Sequence, residues 1–333
     1  MRWGLVGAST IAAQHMIGAI RATGGEVAAV VSTTRARADE FAASHGIAAA
    51  ADRLTLVLDD ASIGAVYISS TNEKHHAQAL AAIAAGKHVL CEKPLAMTVA
   101  EAAGMVQAAE AAGVVLATNH HLRCSGAHRA VRDLIRAGRI GRVLSLRLFH
   151  AVQLPPHLQG WRINDASAGG GVIPDITVHD ADVARFLLDE DPVAVVAQMG
   201  ASGMGQGVED SVMSVWTMPS GALVQSHESF THPFAGSGLE VHGDRGSIFA
   251  RGVMTQAPVG EVELVTATGR AAVPFPAHNL YVQGVGDFLA AVAGSGRPAA
   301  TGADGVASLA VALAVRKAAQ TGTRQQIDYG SAA

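Results

Sequence analysis

Cysteine is nearly absent from this chain, and what little there is excludes two kinds of chemistry. Cys91 and Cys124 are spaced as neither a CxxC redox motif nor a zinc site, so they read as buried, reduced thiols. Aromatic residues supply only 4% of the sequence against 49% hydrophobic, so the core has to be built from Ala, Val, Leu and Ile, which suits helices packed on a sheet. Charge is also sparse, at 16% with a formal net of −4. No Lys/Arg-rich run is interleaved with aromatics, which argues against nucleic acid as a partner.

Long apolar runs are missing as well. None approaches the roughly 20 residues a membrane span needs, and Gly4, Gly7, Ser9, Thr10 and Gln14 interrupt the start before a signal peptide could form its apolar core. A soluble, cytoplasmic protein with no membrane partner is the expectation. Fifteen histidines invite a metal site, but the pairs His75-His76 and His120-His121 are adjacent in sequence, and on a strand adjacent side chains oppose one another, so no metal is expected.

What is present is alternation. Buried-strand patterns at 3–7, 27–31, 65–69, 88–91 and 114–118 are separated by helical ones at 11–21, 36–44, 74–85 and 99–112. This predicts an α/β fold whose N-terminal domain, residues 1–120, is a doubly wound parallel sheet of Rossmann type. Beyond a helix at 127–137, longer strand patterns at 143–152, 193–199, 212–218, 222–229 and 239–242 surround a helix at 176–188, with helices near 281–293 and 303–320 at the end. Residues 121–333 therefore read as an α+β domain with an open, mainly antiparallel sheet, its late helices free to pack back on the first domain. The open sheet face is where a homo-oligomer would form.

Between the first strand and helix, Gly7-Ala8-Ser9-Thr10-Ile11-Ala12 reads G-x-S-x-x-A, a degenerate form of the dinucleotide fingerprint. Alone, it is equally a turn capped by Ser9 or Thr10. The second strand decides between them. Where an NAD-binding fold carries a carboxylate for the ribose 2′-hydroxyl, this chain has Ser32-Thr33-Thr34-Arg35-Ala36-Arg37: two hydroxyls and two arginines, of which Arg37 is the favoured 2′-phosphate ligand. Positive charge in a first helical turn opposes the helix dipole unless an anion compensates it. NADP(H) is therefore the expected cofactor.

The fourth sheet strand of that domain runs into Cys91-Glu92-Lys93-Pro94, so Lys93 stands at the carboxyl end of a strand, where open α/β sheets bind ligands. Asp175 and His179 are four apart on a helix starting near Asp175, which stacks them on one face, while Asp180 points elsewhere. Singly, each has a plainer reading: a solvated loop lysine, a helix N-cap and a core histidine. Together they supply what carbonyl reduction needs, a cation or acid for the charge that grows on the oxygen as hydride arrives. Whether Lys93 or His179 gives the proton stays open. Ala168-Gly169-Gly170-Gly171 and Gln159-Gly160-Trp161-Arg162 are further candidates for substrate contact, or else a loop and a surface pair.

Glu92-Lys93-Pro94 and the Asp175/His179 pair resemble the E-K-P and D-x-x-x-H motifs of the Gfo/Idh/MocA oxidoreductases, and the resemblance covers the whole chain. More specific are the runs Thr118–Arg123, Leu154–Arg162 and Asp175–Asp180. The resemblance implies NADP(H)-dependent reduction of a small sugar-like carbonyl substrate, with Lys93, His179 and Asp175 catalytic. It implies cofactor contacts at Ala8, Ser9, Thr10, Ile11, Ser32, Thr33, Arg37, Ser70, Thr71, Asn72, Glu73, Lys74, His75, Glu92, Lys93, Asn119, Trp161, Arg162 and Tyr281, the last on a late loop returning to the cofactor. Lys74 departs from the pattern, where an apolar residue is expected, and the Gly200–Gly207 loop is short, which bears on substrate range. Relatives act on inositols, other sugars or dihydrodiols. Some family members are non-catalytic regulators, but such proteins can dispense with Lys93, Asp175 and His179.

Overall fold

The computed structural model describes residues 1–330. The chain forms two units, one of Met1–His121 with Tyr281–Val306, the other of Leu122–Leu280 with the chain from Ala307 onward. The late segment left free to pack back on the first domain is residues 281–306, which belong to the first unit. The reason is local: Thr118 N–H donates to Ala300 O at 3.2 Å, Ala117 bridges Thr301, and Phe288 packs against the Trp3 ring at 5.3 Å.

The first unit is a six-stranded, wholly parallel sheet of β1 (Arg2–Val6), β2 (Glu26–Val31), β3 (Ala49–Ala51), β4 (Ala65–Ile68), β5 (His88–Cys91) and β6 (Leu116–Thr118). Its order is β3-β2-β1-β4-β5-β6, with the chain reversing direction of growth between β1 and β4. Every residue of β4 is buried, as expected of a strand covered on both faces. The helices α1 (Ile17–Ala22), α2 (Arg35–His45), α3 (Thr55–Leu58), α4 (His75–Ala84) and α5 (Val99–Ala112) alternate with the strands. A π-helical turn, Ala12–Met16, precedes α1. α5 opens on a full capping box: Thr98 accepts from the Glu101 backbone N–H and the Glu101 carboxylate accepts from the Thr98 N–H.

The second unit holds α6 (Gly126–Arg136), β7 (Val143–Ala151), α7 (Gly160–Asn164), α8 (Val178–Leu188) and the strands β8 (Ala194–Gly200), β9 (Ser211–Thr217), β10 (Leu223–Ser229), β11 (Gly238–Gly243), β12 (Gly246–Arg251), β13 (Glu261–Thr266), β14 (Gly269–Ala272) and β15 (Gln325–Gln326). They form one nine-stranded sheet, β14-β13-β12-β11-β7-β10-β9-β8-β15. All pairs are antiparallel except β7 with β10. One face is covered, with Leu146, Leu148, Trp216, Val224 and Ile248 in a core shared with Val131, Val183 and Leu187 of α6 and α8. The other face is open and carries exposed Val196, Met213, Val215 and Leu223. Among the described residues no helix is long and apolar enough to cross a membrane, and no three His, Cys, Asp or Glu side chains converge as metal ligands.

The capping box is testable apart from function. Thr98→Ala is expected to cost about 1 kcal/mol in urea denaturation and Thr98→Ser to restore most of it; an unchanged midpoint in Thr98→Ala would show that the cap is energetically idle.

Candidate active site

In the first unit the candidate nucleotide residues gather where the sheet order reverses. Gly7 follows β1 with φ +117°, and a Cβ there would lie 2.8 Å from the Ser69 carbonyl carbon and the Ser70 nitrogen. Glycine is thus required both by conformation and by the close approach of the loop after β4. Ser9 Oγ bonds Ser69 Oγ at 2.7 Å and accepts from the Ala12 N–H at 3.2 Å, so Ser9 caps the helix and ties the two loops together. Ala8 is buried, Thr10 exposed and Ile11 half-buried.

The residues after β2 separate the two arginines. Thr34 caps α2 by accepting from the Arg37 N–H. Arg35 turns along the helix to pair with Asp39 at 2.8 Å. Arg37 reaches back and donates to Ala8 O at 2.9 Å, which places its guanidinium on the Gly7–Ala8 turn. Ser32 and Thr33 lie between the strand end and this helix, the Ser32 N–H donating to Ala51 O.

After β4, Ser70 Oγ donates to Gln78 Oε1 and Thr71 Oγ1 to Glu73 Oε1, with Lys74 Nζ 3.4 Å from Glu73. Asn72 is buried and His75 fully so. His75 Nδ1 is 2.8 Å from Pro94 O and Nε2 3.1 Å from Ser70 O, so one ring joins the loop after β4 to the segment after β5. Burial lowers the His75 pKa below its ordinary value.

That segment carries Glu92 and Lys93, both half-buried, followed by a cis Lys93–Pro94 peptide. Glu92 Oε1 accepts from the Tyr67 hydroxyl at 2.5 Å and from Asn119 Nδ2 at 2.6 Å. Burial first, and then the neighbouring Glu92 charge, push the Tyr67 phenol well above its ordinary pKa, so Tyr67 remains a proton donor to this carboxylate. Lys93 is therefore attached to a residue whose side chain is held from two strand ends. Tyr281 heads the helix Leu280–Val292 rather than sitting on a loop, and stacks on His15 at 4.5 Å and His121 at 5.4 Å.

The other group lies in the second unit. The helix carrying Asp175 and His179 begins earlier than expected, with a π-helical turn over Ile173–Thr177 that runs into α8. Asp175 is consequently inside the first turn and is not its N-cap. The cap comes instead from a distant carboxylate, Glu209, which accepts from the Ile173 N–H at 3.2 Å and pairs with Arg316. Asp175 Oδ1 is 3.4 Å from Arg162 Nε, and the Arg162 guanidinium lies over the Trp161 ring at 4.7 Å, so the Trp161-Arg162 pair and the Asp175 helix are joined. His179 is buried. The glycine run before this helix folds back on α7: Gly170 N–H donates to Asp165 O and Gly171 N–H to Arg162 O.

The sequence reading passed over Tyr67. Its signal was available: a single phenol in the wholly apolar strand Ala-Val-Tyr-Ile has to find a hydrogen-bond partner when buried. Arg123, at the end of the Thr118–Arg123 run, makes a bidentate pair with Asp182 at 2.8 and 2.7 Å; nothing in one sequence links residues so far apart.

Comparison with known proteins follows the same division. Residues 1–120 match the oxidoreductase family with an NAD-binding Rossmann fold, and residues 128–249 match the GFO/IDH/MocA C-terminal domain. The chain is 55% identical over 330 residues to a 1,5-anhydro-D-fructose reductase of Ensifer adhaerens, covering 99% of both chains. It is 30% identical to a D-xylose 1-dehydrogenase (NADP(+)) of Haloferax volcanii, over 98% of this chain and all of that one. Among solved structures, an aldose-aldose oxidoreductase from Caulobacter crescentus superposes with a TM-score of 0.89 over 98% of this chain and 99% of its own, at 24% identity, which speaks for the fold. Both halves of the chain, and the Glu92-Lys93-Pro94 and Asp175/His179 motifs in them, place this protein in the Gfo/Idh/MocA family of nicotinamide-dependent oxidoreductases.

Proposed function

We propose that the chain reduces the 2-keto group of 1,5-anhydro-D-fructose to 1,5-anhydro-D-mannitol with NADPH. The observation that carries this reading is the 55% identity to a 1,5-anhydro-D-fructose reductase across 99% of both chains. The substrate is a small keto-sugar. The reading also fits a cytoplasmic location, where NADPH is replenished and the free thiols of Cys91 and Cys124 stay reduced.

The first unit suits a dinucleotide phosphate by its own features. The Gly7 turn leaves no room for a side chain, Ser9 caps the helix that follows, and no carboxylate ends β2. Ala8, Ser9, Thr10 and Ile11 would face the pyrophosphate. Ser32, Thr33 and Arg37 would hold the 2′-phosphate, Arg37 exchanging Ala8 O for it. Ser70, Thr71, Asn72, Glu73, Lys74, His75, Glu92, Lys93, Asn119, Trp161, Arg162 and Tyr281 complete the proposed cofactor contacts.

When bound, the reduced nicotinamide supplies hydride. The chain's own residues then manage the charge. Lys93, positioned by the clamped Glu92, offers an ammonium to the carbonyl oxygen and stabilises the alkoxide that forms. His179 competes with it to deliver the proton, and Asp175, held against Arg162, orients that end of the helix. On the open face of the second unit, Val196, Val215 and Gln225 share one row across β8, β9 and β10, with Met213 and Leu223 beside them. This apolar surface supports the reading that two copies of the chain associate there.

Kinetics and light scattering test these readings. Steady-state rates over a panel of carbonyl compounds should show 1,5-anhydro-D-fructose turned over with NADPH; negligible turnover would reject the substrate and leave another sugar or polyol as the alternative. Lys93→Gly and His179→Ala should each lower kcat by at least about a hundredfold, while Arg37→Ala should raise the NADPH KM by on the order of ten- to a hundredfold, as expected for a lost charge-assisted bond, and Ser32→Asp should move preference toward NADH. Light scattering should find an oligomer that Val215→Lys dissociates; a monomeric parent chain would overturn the association.

A further inference from the structure

Asp180, the residue after His179, faces the covered side of the nine-stranded sheet. Its Oδ1 accepts from His150 Nδ1 at 2.9 Å. His150 on β7 is the register partner of Glu228 on β10, so the sheet presents an imidazole and a carboxyl side by side beneath α8. Asp180 and Glu228 are both fully buried. Asp180 Oδ2 and both Glu228 oxygens are unpartnered at strict hydrogen-bond geometry, yet the Glu228 carboxyl faces Asp180 and Ser226. Two ionised carboxylates cannot satisfy each other, since each only accepts. A single proton between them converts the contact into a hydrogen bond.

We propose that Glu228 is a neutral carboxylic acid in the folded enzyme, donating its proton to Asp180, and that this O–H···O bond clamps the start of α8, and with it His179, to the sheet.

The surrounding polar groups are arranged for that state. The Trp216 indole donates to Ser214 at 2.7 Å, Ser214 and Ser226 hydroxyls are 2.7 Å apart, and Ser226 faces Glu228. An indole only donates, so Ser214 accepts from Trp216, and its own hydroxyl can donate on to Ser226, which leaves Ser226 able to donate toward Glu228. Asp180 then receives Glu228 on one side and His150 on the other. Asp182, two residues on, is engaged by Arg123 and lies 4.0 Å from Arg185. From α6, His128 stands by His150 and Asp182; burial and then His150 hold its pKa down to about 4, so it brings no positive charge at neutral pH. Burial first, and then Asp180, push the Glu228 carboxyl well above the ordinary carboxylate range.

The sign of the resulting pH dependence follows. The unfolded chain releases the Glu228 proton in the ordinary carboxylate range and the folded chain keeps it to higher pH, so stability falls as pH rises between the two. Within that window the folding constant should fall up to tenfold per pH unit from this one proton. Glu228 acts here as a positioning residue. Only its bearing on His179 rests on the function proposed above; the shared proton does not.

The experiment compares the full-length parent chain with Glu228→Gln and Glu228→Leu. Infrared difference spectra at neutral pH should show the C=O stretch of a protonated carboxylic acid in the parent that Glu228→Gln lacks. Urea unfolding across pH should give Glu228→Gln a shallower loss of stability than the parent, because the amide donates to Asp180 without titrating. The His179 imidazole resonance should shift in Glu228→Leu and return toward the parent position in Glu228→Gln, a rescue that simple loss of volume would not produce in that order. No acid band, or parallel pH slopes in the parent and Glu228→Gln, would overturn the shared proton. An unmoved His179 resonance in folded Glu228→Leu would overturn the clamp, whatever substrate the enzyme proves to use.

Discussion

The close approach of Gly7 to the backbone of Ser69 and Ser70 is the constraint on which the first unit's chemistry rests. β1 and β4 are neighbours at the reversal of the sheet, and their outgoing loops can meet only because Gly7 has no Cβ, which would lie 2.8 Å from the Ser69 carbonyl carbon and the Ser70 nitrogen. Once they meet, Ser9 bonds Ser69, Arg37 folds onto the Ala8 carbonyl, and the loop after β4 is fixed at its start. From that loop His75 reaches the Pro94 carbonyl, so the Lys93 segment inherits its position from the same junction. A single backbone contact thus sets both the Gly7–Ser9 turn and the Lys93 segment of one unit.

The second unit solves a different problem. Its sheet is covered on one face by α6 and α8, yet that covered face carries Ser214, Ser226, Glu228 and His150 among its apolar residues. Buried polar groups are tolerable only as a satisfied network, and such a network specifies one arrangement more sharply than an apolar surface can. α8 enters it through Asp180 and Asp182, the first toward β7 and β10, the second toward Arg123. The helix that carries His179 is therefore held by directional bonds as well as by Val183 and Leu187 in the core. Both candidate helices also open on π-helical turns, over 12–16 and 173–177, a distortion that recurs at functional sites.

What the sequence disclosed depended on whether the determining interaction was local. The capping box at Thr98 and Glu101, the β1-turn-helix of the nucleotide site and the buried strands β1, β2, β4 and β5 are written in contiguous residues, and the helix over 99–112 is found where the pattern puts it. β3 escaped notice because three alanines have no strand signal of their own and form a strand only by pairing with Ala29–Val31. β13 and β14 likewise depend on partners, and the return of 281–306 to the first unit depends on Thr118 and Trp3, more than 150 residues earlier in the chain.

The same distinction explains why the site was read as a set of residues but not as a set of bonds. Glu92 was recognisable beside Lys93, whereas the two groups that fix it, Tyr67 and Asn119, come from other strand ends 25 and 27 positions away. Asp180 was seen to point away from Asp175 and His179, which a helical wheel supplies, but its destination is a register pairing between β7 and β10, 30 residues before it and 48 after. The candidate site residues are side chains that sequence motifs reveal, and they are held by partners that only the topology brings to them. In a reductase this division has a physical reason: the charge that grows on a carbonyl oxygen must be met by groups already in place, so the partners that hold a candidate residue still bear on the barrier as directly as the residue itself.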